Sequence, residues 1–138
     1  RYPNAIRPWQ HVIEPLYGYI LLLMKINNKN KNLESGSWNF GPNKSNNINV
    51  KKVVSILNKN FKNKITVEIR NKNKISYKES DILKLNSNKS KKTLGWNSKY
   101  NISTSLKLIS EWEIFLTKNK KEILNFSKEQ ILSYLRKF

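Results

Sequence analysis

Between Glu14-Pro15 and Asn27 the chain reads Leu-Tyr-Gly-Tyr-Ile-Leu-Leu-Leu-Met-Lys-Ile, apolar on most faces of a helix. A segment of that kind has to be covered, so it predicts a buried helix over 16–26. Its start is marked twice, by a proline suited to a first helical turn and by a carboxylate at the positive end of the helix dipole. The run is about half of the roughly 20 residues a bilayer demands, so it predicts no membrane span. Pro3, Pro8 and Pro15 with His11 and Glu14 break any signal-peptide core. The expectation is an intracellular, cytoplasmic protein without a membrane partner.

The other apolar residues come in short periodic groups. Ser37 to Pro42 alternates aromatic and polar residues and predicts a short buried strand closed by Gly41-Pro42. Asn49 can cap a helix carrying Val50, Val53, Val54 and Leu57. Ile65 to Ile69 and Ile82 to Asn86 read as strands, with polar loops at 27–32 and 70–76. Asn88 to Leu94 predicts a short helix closed by Gly95. Ser103 to Leu116 is amphipathic through Leu106, Ile109, Trp112 and Leu116, and a capping-box-like Ser127-Lys128-Glu129-Gln130 opens a last helix to Phe138. Three short strands among helices predict a mixed α/β fold too small for a complete doubly wound sheet.

Charge is the next constraint. The 138 residues hold 27 basic against 9 acidic side chains, a net charge of +18. That balance usually points to a polyanion. Here only four basic residues are arginine and 23 are lysine, alongside 21 asparagines, 15 isoleucines and one alanine. A/T-biased codon usage yields that composition without a nucleic-acid partner, and the lysines form no dense block. Nucleic acid is therefore not expected as the partner; a free-standing basic nucleic-acid-binding module is the competing reading of a different class. No cysteine and a single histidine argue against disulfides and most zinc sites, so no metal is expected. No glycine-rich phosphate loop, nucleophile elbow or paired-histidine motif occurs.

One stretch carries more. The string Arg7-Pro8-Trp9-Gln10-His11-Val12-Ile13-Glu14-Pro15-Leu16 resembles the C-terminal part of the CDP-glucose 4,6-dehydratases, which are extended short-chain dehydrogenase/reductases. The likeness continues in order through Trp38-Asn39-Phe40-Gly41-Pro42, Leu83-Lys84-Leu85, Lys89, Leu94-Gly95-Trp96 and Glu129-Gln130-Ile131-Leu132-Ser133-Tyr134. It implies a substrate-binding part of an α/β enzyme, residues 1–138, whose Rossmann half lies outside this chain. The start at Arg1 fits a piece of a longer protein. In such enzymes NAD takes a hydride from C4 of the sugar, water leaves across C5 and C6, and the hydride returns to C6. The glycine-rich loop, the Tyr-x-x-x-Lys pair and the acidic pair for that chemistry lie upstream of the matched region. The resemblance thus implies no catalytic residue here, NAD held mainly elsewhere, and no turnover by this chain alone. A same-class alternative is another nucleotide-sugar dehydratase or epimerase, and a homodimer is compatible with the full-length form.

Arg7 falls where related dehydratases contact the diphosphate, and a planar guanidinium is the side chain that forks onto phosphate. Its competing role is an ion pair with Glu14. Asn39 is placed for ribose or phosphate, or for the backbone of its own turn. Trp9 and Trp38 can stack on a base or fill core. His11 can meet a phosphate or be a packed, satisfied side chain. Lys78-Glu79 stands where the family has His-Glu, so Lys78 is either a nucleotide contact or a solvated lysine. The family pattern L-x-L-D-x-S-K departs at Asn86 and Asn88 while keeping Lys89. The predicted substrate-binding set is Arg7, Trp9, His11, Asn39 and Lys78, for CDP-glucose or a related nucleotide sugar.

Overall fold

The computed structural model describes residues 2–27, 36–68 and 80–138. Two short strands, β1 (Ile6–Pro8) and β2 (Asn47–Asn49), pair antiparallel with Arg7 opposite Ile48. Five helices surround them: α1 (Ile13–Asn27), α2 (Val50–Asn60), α3 (Asn88–Leu94), α4 (Ile102–Lys118) and α5 (Ile123–Leu135). The mixed α/β class follows, with helices predominant.

Helix α1 begins three residues before the predicted Leu16. His11 sets that start, because its Nδ1 accepts from the Ile13 amide at 3.3 Å and its carbonyl accepts from the Glu14 amide at 3.1 Å. Pro15 then sits in the first turn, where a missing N–H costs no intrahelical bond. Within the chain α1 is buried on one side only, through Ile13, Glu14 and Gly18. Leu16 and Ile20 are about half exposed and Leu23 and Met24 are 65% exposed, so the expectation of all-round burial fails.

The Asn49 cap forms as predicted, its side chain accepting from the Lys52 amide at 2.8 Å. Helix α3 ends at Gly95 with φ +69°, the left-handed conformation that glycine adopts without a Cβ clash. Helix α5 starts at Ile123, not at Ser127. The Ser127 hydroxyl instead donates to the Ile123 carbonyl and accepts from Trp112 Nε1, tying α5 to α4. Phe115 and Phe126 stack across the same pair at 4.4 Å.

The predicted strands fare worse. Residues 37–42 form no ladder. They are held by side chains, with Gln10 Nε2 donating to the Phe40 carbonyl and Ser90 Oγ to the Asn39 carbonyl. Residues 65–68 are irregular and exposed, and Ile69 lies outside the described residues. The segment 82–86 makes a single parallel bridge, Ile82 to Ile6. The predicted loops are described only at Asn27, where α1 ends; 28–32 and 70–76 lie outside the described residues.

The core is aromatic. Tyr100 and Tyr134 meet edge to face at 5.1 Å over Ile13, and Phe40 meets the fully buried Trp96 at 5.3 Å. A Cβ on Gly18 would overlap the Phe40 ring, and one on Gly41 would strike Leu85 and Ser87. Both glycines therefore serve close internal packing.

Candidate functional site

Glu14 is the most constrained polar residue of the described chain. Its side chain is fully buried, with Oε1 accepting from the amides of Lys99 at 2.9 Å and Tyr100 at 2.6 Å and Oε2 accepting from the Tyr134 hydroxyl at 3.0 Å. Its backbone carbonyl accepts from Trp96 Nε1 at 3.1 Å. A buried carboxylate survives only when its oxygens are paired in this way. The competing Arg7–Glu14 surface ion pair is thereby excluded. Burial first, and then the negative field of Glu14, raises the Tyr134 hydroxyl far above its usual titration range. Tyr100 is raised for the same two reasons. Local sequence gave no sign of this arrangement, since a glutamate before a proline at a helix start already has an explanation in the helix dipole.

The predicted binding residues stand around this frame. Arg7 occupies the middle of β1, half-buried, on the sheet face shared with Ile48, and its Nη1 donates to the Ile6 carbonyl at 2.8 Å. Trp9 follows directly. Its indole N–H donates to the Ile48 carbonyl at 3.0 Å, which fixes the ring against β2. His11 meets Tyr100 edge to face at 6.1 Å, and burial lowers its pKa from the ordinary 6.5, so the imidazole is held neutral as a helix-capping acceptor. Trp38 carries the Lys89 ammonium 4.4 Å above its ring. Asn39 is exposed, and its Nδ2 donates weakly to the Asn86 carbonyl at 3.4 Å. Lys78 and Glu79 lie outside the described residues.

Ile6, the neighbour of Arg7 on β1, and Asn39 both contact one segment, 81–87. The Ile6 amide donates to the Asp81 carbonyl at 2.8 Å and the Leu83 amide to the Ile6 carbonyl at 3.1 Å. Further along the same segment Asn86 meets Asn39, and Ser87 Oγ accepts from the Gly41 amide at 2.7 Å. Leu83 and Asn86 are three residues apart, which limits that stretch of backbone to about 10 Å. Arg7's strand and Asn39 thus flank the two ends of 83–86.

Two cavities lie near these elements. One of about 280 Å³ is bounded by His11, Val12, Ile13 and Leu16 from α1 and its approach, Ile109 and Trp112 from α4, and Ser127, Gln130 and Ile131 from α5. The other, about 510 Å³ and open, lies beside β2 and brings Lys51, Lys52 and Ser55 next to Asn47 and Asn49. Neither is walled by Arg7, Trp9 or Asn39. Among the described residues no group of three or more His, Cys, Asp or Glu is placed to hold a metal ion. No helix among them is long and apolar enough to cross a membrane.

Those features define a small mixed α/β unit in which the buried Glu14 carboxylate ties α1 to α5 and to the segment before α4. No protein-family model matches the chain. Over 135 residues, 98% of its length, it is 30% identical to the CDP-glucose 4,6-dehydratase of Salmonella typhimurium. The chain spans 36% of that relative's length. It is thus similar to part of a nucleotide-sugar dehydratase.

Proposed function

We propose that this chain supplies the nucleotide-sugar-binding part of a CDP-glucose 4,6-dehydratase, with Arg7 on the diphosphate and Asn39 on the ribose or phosphate. The observation that carries the reading is the pairing of Arg7's strand and Asn39 with one segment, 82–87, within a chain similar over nearly all its length to part of such an enzyme. A fork-shaped, permanently charged donor on a strand suits a diphosphate better than an ammonium does. Trp9 acts in this reading by holding β1 to β2, and His11 by fixing the start of α1. Lys78 remains a proposed nucleotide contact.

NAD would supply the hydride chemistry of the whole enzyme. Gly18, Gly41 and Gly95 do not form a cofactor cradle: the first two are filled against Phe40 and against Leu85 and Ser87, and Gly95 closes α3. No catalytic step is assigned to this chain, whose own contribution is to bind and orient the sugar nucleotide. Calorimetric titration of the chain with CDP-glucose tests the reading. Arg7→Lys is expected to weaken binding by about 1–3 kcal/mol, the worth of a charge-assisted hydrogen bond. Unchanged affinity, or no preference for CDP-glucose over other anions, refutes it.

A further inference from the structure

We propose that Gln10 is a positioning residue of the sugar-nucleotide site: it ties the segment carrying Arg7 to the loop carrying Asn39 and so sets the spacing between the diphosphate contact and the ribose or phosphate contact. The inference rests on the functional reading above and adds to it a residue that acts through Arg7 and Asn39, not by touching the ligand.

Three consecutive residues of the loop, Asn39, Phe40 and Gly41, are held by side chains. Ser90 Oγ donates to the Asn39 carbonyl at 2.6 Å, and Ser87 Oγ accepts from the Gly41 amide at 2.7 Å and donates to its carbonyl at 3.3 Å. Both serines come from 87–90, so these bonds fix the loop to α3 and to the residue before it. The middle bond runs elsewhere: Gln10 Nε2 donates to the Phe40 carbonyl at 2.6 Å, across 30 positions of sequence. Gln10 lies three residues beyond Arg7, which keeps the two backbones within about 10 Å of each other, and Phe40 is the direct neighbour of Asn39.

The spacing between Arg7 and Asn39 is thereby set along two routes. One passes from Ile6 to Leu83 and from Asn86 to Asn39, and its last bond is 3.4 Å long, at the weak end of the range. The other ends in the 2.6 Å Gln10 bond, the firmer of the two. A ligand that touches both Arg7 and Asn39 loses affinity when their separation is free to change, because its two contacts no longer form together.

The chemistry of the position points the same way. Gln10 Oε1 is shielded from solvent and meets no hydrogen-bond partner among the described residues. An acceptor buried in that state costs stability. Methionine has nearly the same length, fills irregular space well and carries no such oxygen. What glutamine supplies that methionine lacks is the Nε2 donor, so the bond to Phe40 is the use the fold makes of this side chain.

The test is calorimetric titration of the full 138-residue chain with CDP-glucose. Gln10→Met keeps the volume and loses the donor, whereas Gln10→Asn keeps the carboxamide and is one methylene too short to hold the bond. Each should weaken CDP-glucose binding about tenfold with the circular dichroism of the free chain unchanged, and if one variant fails to fold the other carries the test. On an Asn39→Ala background the same substitutions should weaken binding by less than about twofold, because the contact that Gln10 places is already gone. A residue that merely stabilises the fold would lower affinity by the same factor in both backgrounds, or would shift the urea midpoint and leave affinity unchanged. Either result overturns the proposal, while CDP-glucose binding by the unaltered chain keeps the functional reading standing. No binding by the unaltered chain sinks the functional reading, and the proposal with it.

Discussion

The Tyr134 hydroxyl donates to Glu14 Oε2 at 3.0 Å, a contact that joins the last helix to the first across 120 positions of sequence. The same carboxylate holds the amides of Lys99 and Tyr100, so α1, α5 and the segment before α4 meet at one buried charge. Glu14→Ala would leave two backbone donors and a hydroxyl without partners. At about 1–3 kcal/mol for each buried unsatisfied group, the expected loss is about 3 kcal/mol or more. Glu14→Gln should be milder, because its oxygen still accepts from the amides and its NH₂ can donate to Tyr134. Urea unfolding of the two variants checks the order, and equal midpoints would contradict it.

Tyr134→Phe isolates the hydroxyl. It removes one hydrogen bond to a charged group and leaves both amide contacts, so the expected cost is about 2 kcal/mol. Burial and Glu14 raise the hydroxyls of Tyr134 and Tyr100 above the usual 10.0. The folded state therefore holds protons that the unfolded chain releases above pH 10. Stability from this pair is complete below pH 10 and declines as pH rises beyond it. The decline should be shallower in Tyr134→Phe, and parallel pH profiles for the two proteins would count against the buried network.

His11 works in the opposite direction. Burial lowers its pKa below 6.5, and protonation of Nδ1 would break the bond from the Ile13 amide. Below pH 6.5 the unfolded chain takes up a proton that the folded chain resists, so stability is lost as pH falls through 6.5 toward the folded pKa. His11→Asn keeps a capping acceptor that does not titrate. The difference between the two proteins' unfolding midpoints should shrink in that window, and a constant difference would rule the mechanism out.

How much of this was legible before the structure depends on the range of the interactions. Helices α2, α3 and α4 were readable because caps and apolar spacing act within a turn or two, as Asn49 and Gly95 show. Strands were not. Alternation at 37–42 and 65–69 satisfied the sequence pattern, yet a strand exists only where another backbone pairs with it, and Ile6 found its partners in Asn47–Asn49 and near Ile82. Asn-Ile-Asn has little intrinsic preference for a strand. At the proposed site, Arg7 suits a diphosphate and Asn39 a ribose or phosphate by residue type alone, which is as far as sequence reaches there. Glu14 was not, because its donors lie 85 to 120 positions away.

Ser87 links packing to the proposed site. Its Oγ accepts from the Gly41 amide at 2.7 Å and donates to the Gly41 carbonyl at 3.3 Å, pinning the loop that carries Asn39. Ser87→Ala should cost about 1–3 kcal/mol, since both groups are buried. If Asn39 contacts the sugar nucleotide, the same substitution should weaken CDP-glucose binding while Asn39→Ala adds little further loss. Additive losses would separate the loop from the site.

The lysine excess yields a last prediction, because the two classes of anion respond differently to salt. A polyanion bound by scattered lysines releases condensed counterions, so log affinity falls with log salt at a slope of about −0.9 per phosphate contacted. A diphosphate held by Arg7 is a single small ligand without such an atmosphere. CDP-glucose affinity should therefore change by less than about tenfold between 50 and 200 mM salt, a range over which six to ten phosphate contacts on duplex DNA would lose about 10³–10⁵. Arg7→Lys should lower sugar-nucleotide affinity and leave DNA affinity nearly untouched, since lysine keeps the charge and loses only the fork. A steep salt slope for both ligands, with equal effects of the substitution, would assign the +18 charge to nucleic acid.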